Sequence, residues 1–323
     1  MTVREKLLAI FENNRGDSFS GEGLSETLGV SRNAIWKAIN QLKEEGYQIT
    51  ASKKDGYRFS GENDILSPAL IGRFLPENLP VEIEILESVP STNTFLKQQA
   101  AEGEKEGKII IAKQQTAGKG RLGRTFCSPK GTGLYLSILL RPKILPEKSL
   151  YITTAAAVAT AEAIETVSGK KPEIKWVNDL FLNGKKCCGI LTEASLDLES
   201  GGLEYAVLGI GIDLCRPENG YPQELEKIIG CVFETKPSEE TKSRLAAEII
   251  KNFFVYYKNL AQKPFLEKYR RRSLLTGHEI TVLSDPPKAA VAIGIDDDFG
   301  LIVQIPEGRT VLRSGEVSVR LNK

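Results

Sequence analysis

In the middle of the 323-residue chain, Gln115 to Phe126 reads Gln-Thr-Ala-Gly-Lys-Gly-Arg-Leu-Gly-Arg-Thr-Phe. Gly118, Gly120 and Gly123 alternate with Lys119, Arg121 and Arg124, so the backbone can fold tightly while three cations turn toward something anionic. A phosphate-bearing ligand suits that chemistry, and a solvated basic turn has the same composition. Only Leu122 and Phe126 offer burial to offset the entropy of ordering the stretch, which predicts a loop mobile when empty and ordered when occupied. It is not a Walker loop: no Gly-x-x-x-x-Gly-Lys followed by Ser or Thr occurs.

Four further short constellations fall at expected strand ends. Ser91-Thr92-Asn93 follows Pro90 and opens a helix; Ser91 suits an N-cap, and Thr92 and Asn93 can donate and accept hydrogen bonds. Lys175-Trp176-Val177-Asn178-Asp179 sets a lysine, an amide and a carboxylate at a chain reversal, where a plain Asn-Asp turn is the simpler use. Lys185-Lys186 enters the apolar run Cys187-Cys188-Gly189-Ile190-Leu191, and a surface turn accounts equally well for two lysines. In Gly209-Ile210-Gly211-Ile212-Asp213 the glycines allow a ligand or another backbone to come close.

Composition removes several classes of chemistry. One histidine, His278, is too few for a histidine-based triad or a multi-histidine metal site, and is read as structural. Five cysteines without Cys-x-x-Cys spacing, in apolar surroundings, suggest reduced core thiols rather than disulfides or zinc. The net charge of +1 argues neither for nor against nucleic acid, so such contact must come from a local patch. No apolar run is long enough to span a membrane, and Met1 to Asn14 is charged rather than signal-like, so a cytoplasmic location is expected.

The elements that position these residues read as an α+β multidomain chain. Residues 3 to 13 form a helix with Leu7, Leu8 and Phe11 inward; Ser20 caps a second helix ended by Gly29, and Ser31 caps a third that runs to Glu45. Short helix, glycine turn and longer helix make a helix-turn-helix. With Leu24, Ile35, Ile39 and Leu42 inward, Arg32, Asn33, Trp36, Lys37 and Asn40 face out after Ser31 as a recognition face. A hairpin from Tyr47 to Phe59 carries Lys53 and Lys54 at its tip, a wing suited to phosphate contact. Small winged helices also serve protein-protein contact; the basic residues on the exposed face and wing favour DNA. Domain limits are expected at 1-65 for the winged helix-turn-helix, 66-273 for a central α/β domain with a mixed sheet, and 274-323 for a small β-barrel.

The order of these motifs (Ser-Thr-Asn; Gln-x-Ala-Gly-basic-Gly-Arg-x-Gly-Arg; Lys-Trp-x-Asn-Asp; Lys-x-x-Gly-Ile-Leu; Gly-x-Gly-Ile) resembles the biotin-protein ligases. With the winged helix in front, the whole chain is similar to the bifunctional bacterial form that is also a biotin-operon repressor. The resemblance implies a class II synthetase-like ligase domain and an SH3-like barrel. It assigns the biotin ureido group to Ser91, Thr92, Asn93 and Gln115, and the bicyclic ring to Phe126, with Gly189 also at the biotin. The loop of Gly118, Lys119, Gly120, Arg121 and Arg124 would close over biotin and its adenylate, Lys119 standing where many relatives have arginine. Lys186 would contact the reacting carboxylate and phosphate. Asn178 and Asp179 would lie on the nucleotide and Mg2+ side. Asp213 stands where relatives commonly carry Asn, and Ser314-Gly315-Glu316 resembles the family's terminal motif, which would put Arg313 and Glu316 near the nucleotide or the acceptor protein.

The implied reaction fits the residue types. Biotin carboxylate attacks the α-phosphorus of ATP, and two unit charges about 4 Å apart cost about 4 kcal/mol at an effective dielectric near 20. Arg121, Arg124, Lys186 and magnesium would offset that repulsion. The mixed anhydride is then attacked by a lysine amine of the biotin carboxyl carrier protein, with Asp179 assisting loss of the amine proton. Operator double-stranded DNA and an adenylate-bound homodimer are the implied regulatory partners. Two other readings are a transcription factor that senses biotin or its adenylate without transferring it, and a lipoate or octanoate ligase of the same fold.

Overall fold

The computed structural model describes residues 1–323 except 53, 54, 198, 200, 284, 285, 314–317, 322 and 323. It divides into two compact units, Met1–Leu79 with Ser238–Ala247, and Pro80–Pro237 with Glu248–Lys323.

In the first unit, α1 (Val3–Asn13) starts at a capping box in which Thr2 accepts from Glu5 N and Glu5 returns a bond to Thr2 N. A short strand β1 (Ser18–Phe19) leads to α2 (Gly21–Leu28), capped by Ser20, and α3 (Arg32–Glu44), capped by Ser31. Between the two helices Gly29 takes φ 64°, the left-handed conformation that stops α2 and turns the chain. Strands β2 (Ile49–Ser52) and β3 (Gly56–Phe59) form an antiparallel wing hairpin in the order β1-β3-β2. Leu7, Leu8 and Phe11 of α1 meet Leu24, Ile35, Ile39, Leu42 and Phe59 in one core. Ile65 and Ala69, the latter in α4 (Pro68–Gly72), pack on that core, and the compact unit runs on to Leu79. Glu240 joins it too, pairing with Arg15 and Arg73.

The second unit is built on a seven-stranded mixed sheet. Its elements are β4 (Glu82–Leu86), α5 (Thr92–Ala101), β5 (Lys108–Ala112), β6 (Gly133–Leu140), α6 (Leu150–Ser168), β7 (Glu173–Lys175), β8 (Asp179–Leu182), β9 (Lys185–Leu196) and β10 (Leu203–Asp213). The sheet order is β4-β5-β6-β10-β9-β8-β7, with β4 and β5 parallel and the other pairs antiparallel. The alanines of α6 are fully buried, because small side chains let the helix lie close to the sheet. Helix α7 (Glu239–Tyr257) begins in the first unit and ends in the second, and α8 (Leu266–Arg271) follows.

Five C-terminal strands, β11 (Glu279–Leu283), β12 (Lys288–Ile295), β13 (Leu301–Ile305), β14 (Gly308–Leu312) and β15 (Ser318–Leu321), pair antiparallel in the order β14-β13-β12-β11-β15. Among the described residues that order has two ends, so the pairing does not close the expected barrel. The Asp296–Gly300 turn is a hairpin, with Asp296 Oδ1 accepting from Asp298 N and Gly300 N. Its Phe299 stacks on Phe265 at 5.2 Å and accepts at its carbonyl from Trp176 Nε1, 2.9 Å away. That contact fixes the C-terminal sheet against the turn that carries Asn178.

Candidate functional site

A cleft of about 180 Å³ opens in the second unit where β9 and β10 meet the start of α5, the β7–β8 turn and the loop 119–126. One wall is a buried polar network. Ser91 caps α5 through its bond from Thr94 N, 3.5 Å, which aims Thr92 and Asn93 inward. Thr92 N and Oγ1 donate to Gln115 Oε1 at 2.9 and 3.0 Å, and Gln115 Nε2 donates to Ser128 Oγ at 2.8 Å. Asn93 Nδ2 donates to Leu191 O at 3.2 Å and to Glu193 Oε2 at 2.9 Å. Ser137 Oγ lies 2.6 Å from Asn93 Oδ1 and 2.7 Å from Thr92 Oγ1, sharing its one proton between them.

The floor is glycine. In the β9–β10–β6 register Gly209 sits opposite Leu191 and Ser137, and Gly211 opposite Gly189 and Tyr135. A Cβ on Gly209 would lie 2.2 Å from Asn93 Oδ1, and one on Gly211 would lie 2.5 Å from the Phe126 ring. The sheet therefore gives up two side chains so that an amide and an aromatic ring can press against it. A Cβ on Gly189 would lie 3.2 Å from the same Phe126 ring and 3.3 Å from the end of Lys186.

The opposite wall is charged. Arg121 Nη1 donates to Asn178 Oδ1 at 3.0 Å, and Asn178 is fixed at both ends to Ile190, donating to its carbonyl (2.7 Å) and accepting from its N–H (3.0 Å). Lys186 Nζ stands 2.7 Å from Asp179 Oδ1, a close ion pair without the alignment of a hydrogen bond. Burial lowers the Arg121 guanidinium's hold on its proton, and the nearby Asp179 carboxylate opposes that shift. Arginine stays cationic through such a change. Tyr269 Oη donates to Val177 O at 3.0 Å and braces the turn from behind.

The glycine-arginine stretch folds back over the mouth. Gly120 N donates to Arg124 O (2.7 Å) and Phe126 N to Gly118 O (2.8 Å), leaving Lys119, Gly120, Arg121 and Arg124 along the cleft. Leu122, at the tip, has φ 55° and is 70% exposed. Gly118 does not line the cleft. Its part is in the backbone, since a Cβ there would lie 2.4 Å from Phe126 O.

The cleft lining thus brings together Ser91, Thr92, Asn93, Gln115, Phe126, Gly189, Arg121, Arg124, Lys119, Gly120, Asn178, Asp179 and Lys186. Asp213 is not among them: it is 2% exposed at the end of β10, and burial pushes its carboxyl up to about 7. Ser128, Ser137 and Glu193 hold the polar wall, and sequence reasoning missed all three. The one usable signal was Ser137, a lone hydroxyl inside the apolar strand Gly-Leu-Tyr-Leu-Ser-Ile-Leu-Leu. Among the described residues no group of three or more His, Cys, Asp or Glu could hold a metal, and Asp179 is the acid in the lining.

In the first unit, α3 buries Ile35, Ala38, Ile39 and Leu42 and exposes Ser31, Arg32, Asn33, Trp36 and Lys37, with Asn40 half-buried. Trp36 is 54% exposed, unusual for so large an apolar side chain. Lys53 and Lys54 lie outside the described residues, as do Ser314, Gly315 and Glu316.

Residues 85–213, which hold the cleft, match the Biotin/lipoate A/B protein ligase family, and residues 3–58 match the HTH domain family. The chain is 31% identical to the Bifunctional ligase/repressor BirA of Bacillus subtilis (strain 168), across 98% of this chain and 99% of that protein. With the protein of the same name from Escherichia coli (strain K12) it is 28% identical, across 99% and 98%. Among solved structures it is similar to the biotin protein ligase from Aquifex aeolicus in complex with biotin and ATP, at 27% identity and a TM-score of 0.63, covering 75% of this chain and 99% of that one. Because the likeness runs from the recognition helix through the cleft to the C-terminal strands, the chain belongs to the family of bifunctional biotin ligase/repressors.

Proposed function

We propose that the cleft joins biotin to ATP, forming biotinyl-5'-AMP and pyrophosphate, and passes the biotinyl group to a lysine of the biotin carboxyl carrier protein, the reaction of a biotin–[acetyl-CoA-carboxylase] ligase. The observation that carries this reading is the cleft's division: a fixed donor-acceptor wall at Thr92, Asn93 and Gln115, an aromatic ring over a glycine floor, and cations at Arg121 and Lys186. A ureido ring needs matched donors and acceptors; a carboxylate meeting a phosphate needs positive charge.

Ser91, Thr92, Asn93 and Gln115 bind the ureido group, Phe126 packs on the bicyclic ring with Gly189 beside it, and Lys186 holds the carboxylate beside the α-phosphate. Lys119, Gly120 and Arg121 close over the biotin, Arg121, Arg124, Asn178 and Lys186 hold the nucleotide, and Gly118 serves that nucleotide side through the backbone of the loop, which excludes water from the anhydride. Asp179 fits magnesium as one carboxylate whose partners are the substrate phosphates, the usual way that ion is held, and a bound ion would supply charge neutralisation there. In transfer, Asp179 accepts the proton of the attacking amine.

The winged helix binds operator double-stranded DNA through Ser31, Arg32, Asn33, Trp36, Lys37, Asn40, Lys53 and Lys54, and adenylate-bound protein dimerises to repress biotin genes. The C-terminal strands form an SH3-like cap, the ligase region is class II synthetase-like, and the division 1-65, 66-273 and 274-323 follows these roles. No helix among the described residues is long and apolar enough to cross a membrane, and the protein works in the cytoplasm. The test is transfer of radiolabelled biotin to a purified carrier domain with ATP. Label on the acceptor lysine supports the reading, and biotin binding without label supports a sensing protein instead.

A further inference from the structure

Asp213 lies one alternation beyond Gly209 and Gly211, on the face of β10 that meets Asn93 and Phe126, so it continues the cleft floor under cover. Its carboxylate accepts one long hydrogen bond, 3.5 Å, from Tyr221 Oη. The ionisable groups around it are Lys186, Cys187 and Cys188 from β9, Tyr135 from β6, Cys127 beyond Phe126, and Tyr221 and Cys231 from the segment after β10, with Cys215 among them. Lys186 supplies the positive charge that acts on it from a distance, while its ammonium stands 2.7 Å from Asp179 Oδ1, so two carboxylates divide one cation. One short segment also grips both backbones: Lys186 N donates to Ile228 O (2.9 Å), Gly230 N to Lys186 O (2.7 Å) and Val232 N to Asp213 O (3.0 Å). The backbones of Lys186 and Asp213 are therefore held in a fixed relation, although only Lys186 reaches the cleft.

We propose that Asp213 is a positioning residue that registers occupancy of the cleft: its carboxylate shares the Lys186 charge while the cleft is empty, and it takes up a proton when an anionic ligand claims that charge. The inference rests on the reading that Lys186 meets the ligand's anion. Burial raises the surrounding phenols and thiols, Cys187 to about 12, so they stay neutral near pH 7, whereas Asp213 is brought to about 7. A second anion beside Lys186 raises the carboxyl further, and proton uptake follows by linkage.

The experiment is calorimetric titration of the full chain with biotinol adenylate, a phosphodiester whose charge is constant near neutrality, in buffers of different ionisation heat from about pH 6 to about pH 8. Wild type is expected to take up a fraction of one proton, most near pH 7 and above, and Asp213→Asn to bind with that uptake lost. Tyr221→Phe removes the hydrogen bond that favours the carboxylate, so its uptake maximum moves to higher pH, and this variant decides the matter if Asp213→Asn does not fold. Equal uptake in wild type and Asp213→Asn, or an unmoved maximum in Tyr221→Phe, overturns the inference while leaving the ligase reading intact. Failure of wild type to bind the analogue removes both.

Discussion

Gly209→Ala isolates the polar wall from the charged one. The added Cβ would stand 2.2 Å from Asn93 Oδ1, 2.9 Å from its Cγ and 3.1 Å from Nδ2, whereas ordinary contact begins near 3.4 Å. The amide must retreat by about 1 Å, and overpacking of that kind costs about 1–3 kcal/mol. Asn93 cannot retreat without stretching its bonds to Ser137, Leu191 and Glu193, and each buried group left unpaired costs about 1–3 kcal/mol. If one or two bonds to the ureido group are lost in consequence, biotin affinity falls about 10- to 100-fold. ATP contacts, assigned to Arg121, Arg124, Asn178 and Lys186 and not to Asn93, should change by less than about twofold. Titration calorimetry with biotin, and separately with a nonhydrolysable ATP analogue, reads both affinities, and a thermal melt checks folding. A folded Gly209→Ala protein that binds biotin like wild type would refute the placement of biotin on this wall; equal loss of both ligands would refute the division of the cleft.

Other perturbations reach the remaining parts. Lys186→Met removes one unit charge about 4 Å from the reacting anions, about 4 kcal/mol at an effective dielectric near 20, so pyrophosphate exchange into ATP should slow about a thousand-fold. Arg32→Ala and Lys37→Ala, on the exposed side of α3, should leave the melting temperature unchanged while each weakens DNA binding and lowers its salt slope by about one in a filter or anisotropy assay. Asp213 binds its proton more tightly folded (about 7) than unfolded (ordinary value 3.8), so the stability it contributes is full below about pH 4 and is lost as pH rises through 7. Denaturation across that range should show wild type losing about 4 kcal/mol relative to Asp213→Asn.

The parts legible in the sequence were those written in local spacing. Ser20, Gly29 and Ser31 punctuate the helix-turn-helix because caps and left-handed turns act within a few residues. The long alanine helix, the strands of the central sheet and the five C-terminal strands follow from periodicity in the same way. The short strand Asp179–Leu182 was not expected; it starts at the last residue of a motif read as a turn. What depended on contact across the sheet was not legible. Gly209 and Gly211 announced close approach, but only the register shows that Asn93 and Phe126 are what approach. Ser128 and Glu193 look like ordinary polar residues until Gln115 and Asn93 are folded against them. The burial of Asp213 depends on the segment 228–233 returning over β10, a closure no local pattern encodes. The hold of Phe299 on Trp176 likewise joins residues 123 apart.

The most direct measurement of the central claim is calorimetric titration of biotin, without and with a nonhydrolysable ATP analogue, on wild type and Arg121→Ala. Wild type should bind biotin, and bind it more tightly with the analogue present. Arg121→Ala, which removes the guanidinium bound to Asn178, should lose that enhancement by about tenfold or more while retaining biotin binding. Absence of biotin binding to wild type, or an enhancement untouched by Arg121→Ala, would contradict the assignment of the cleft.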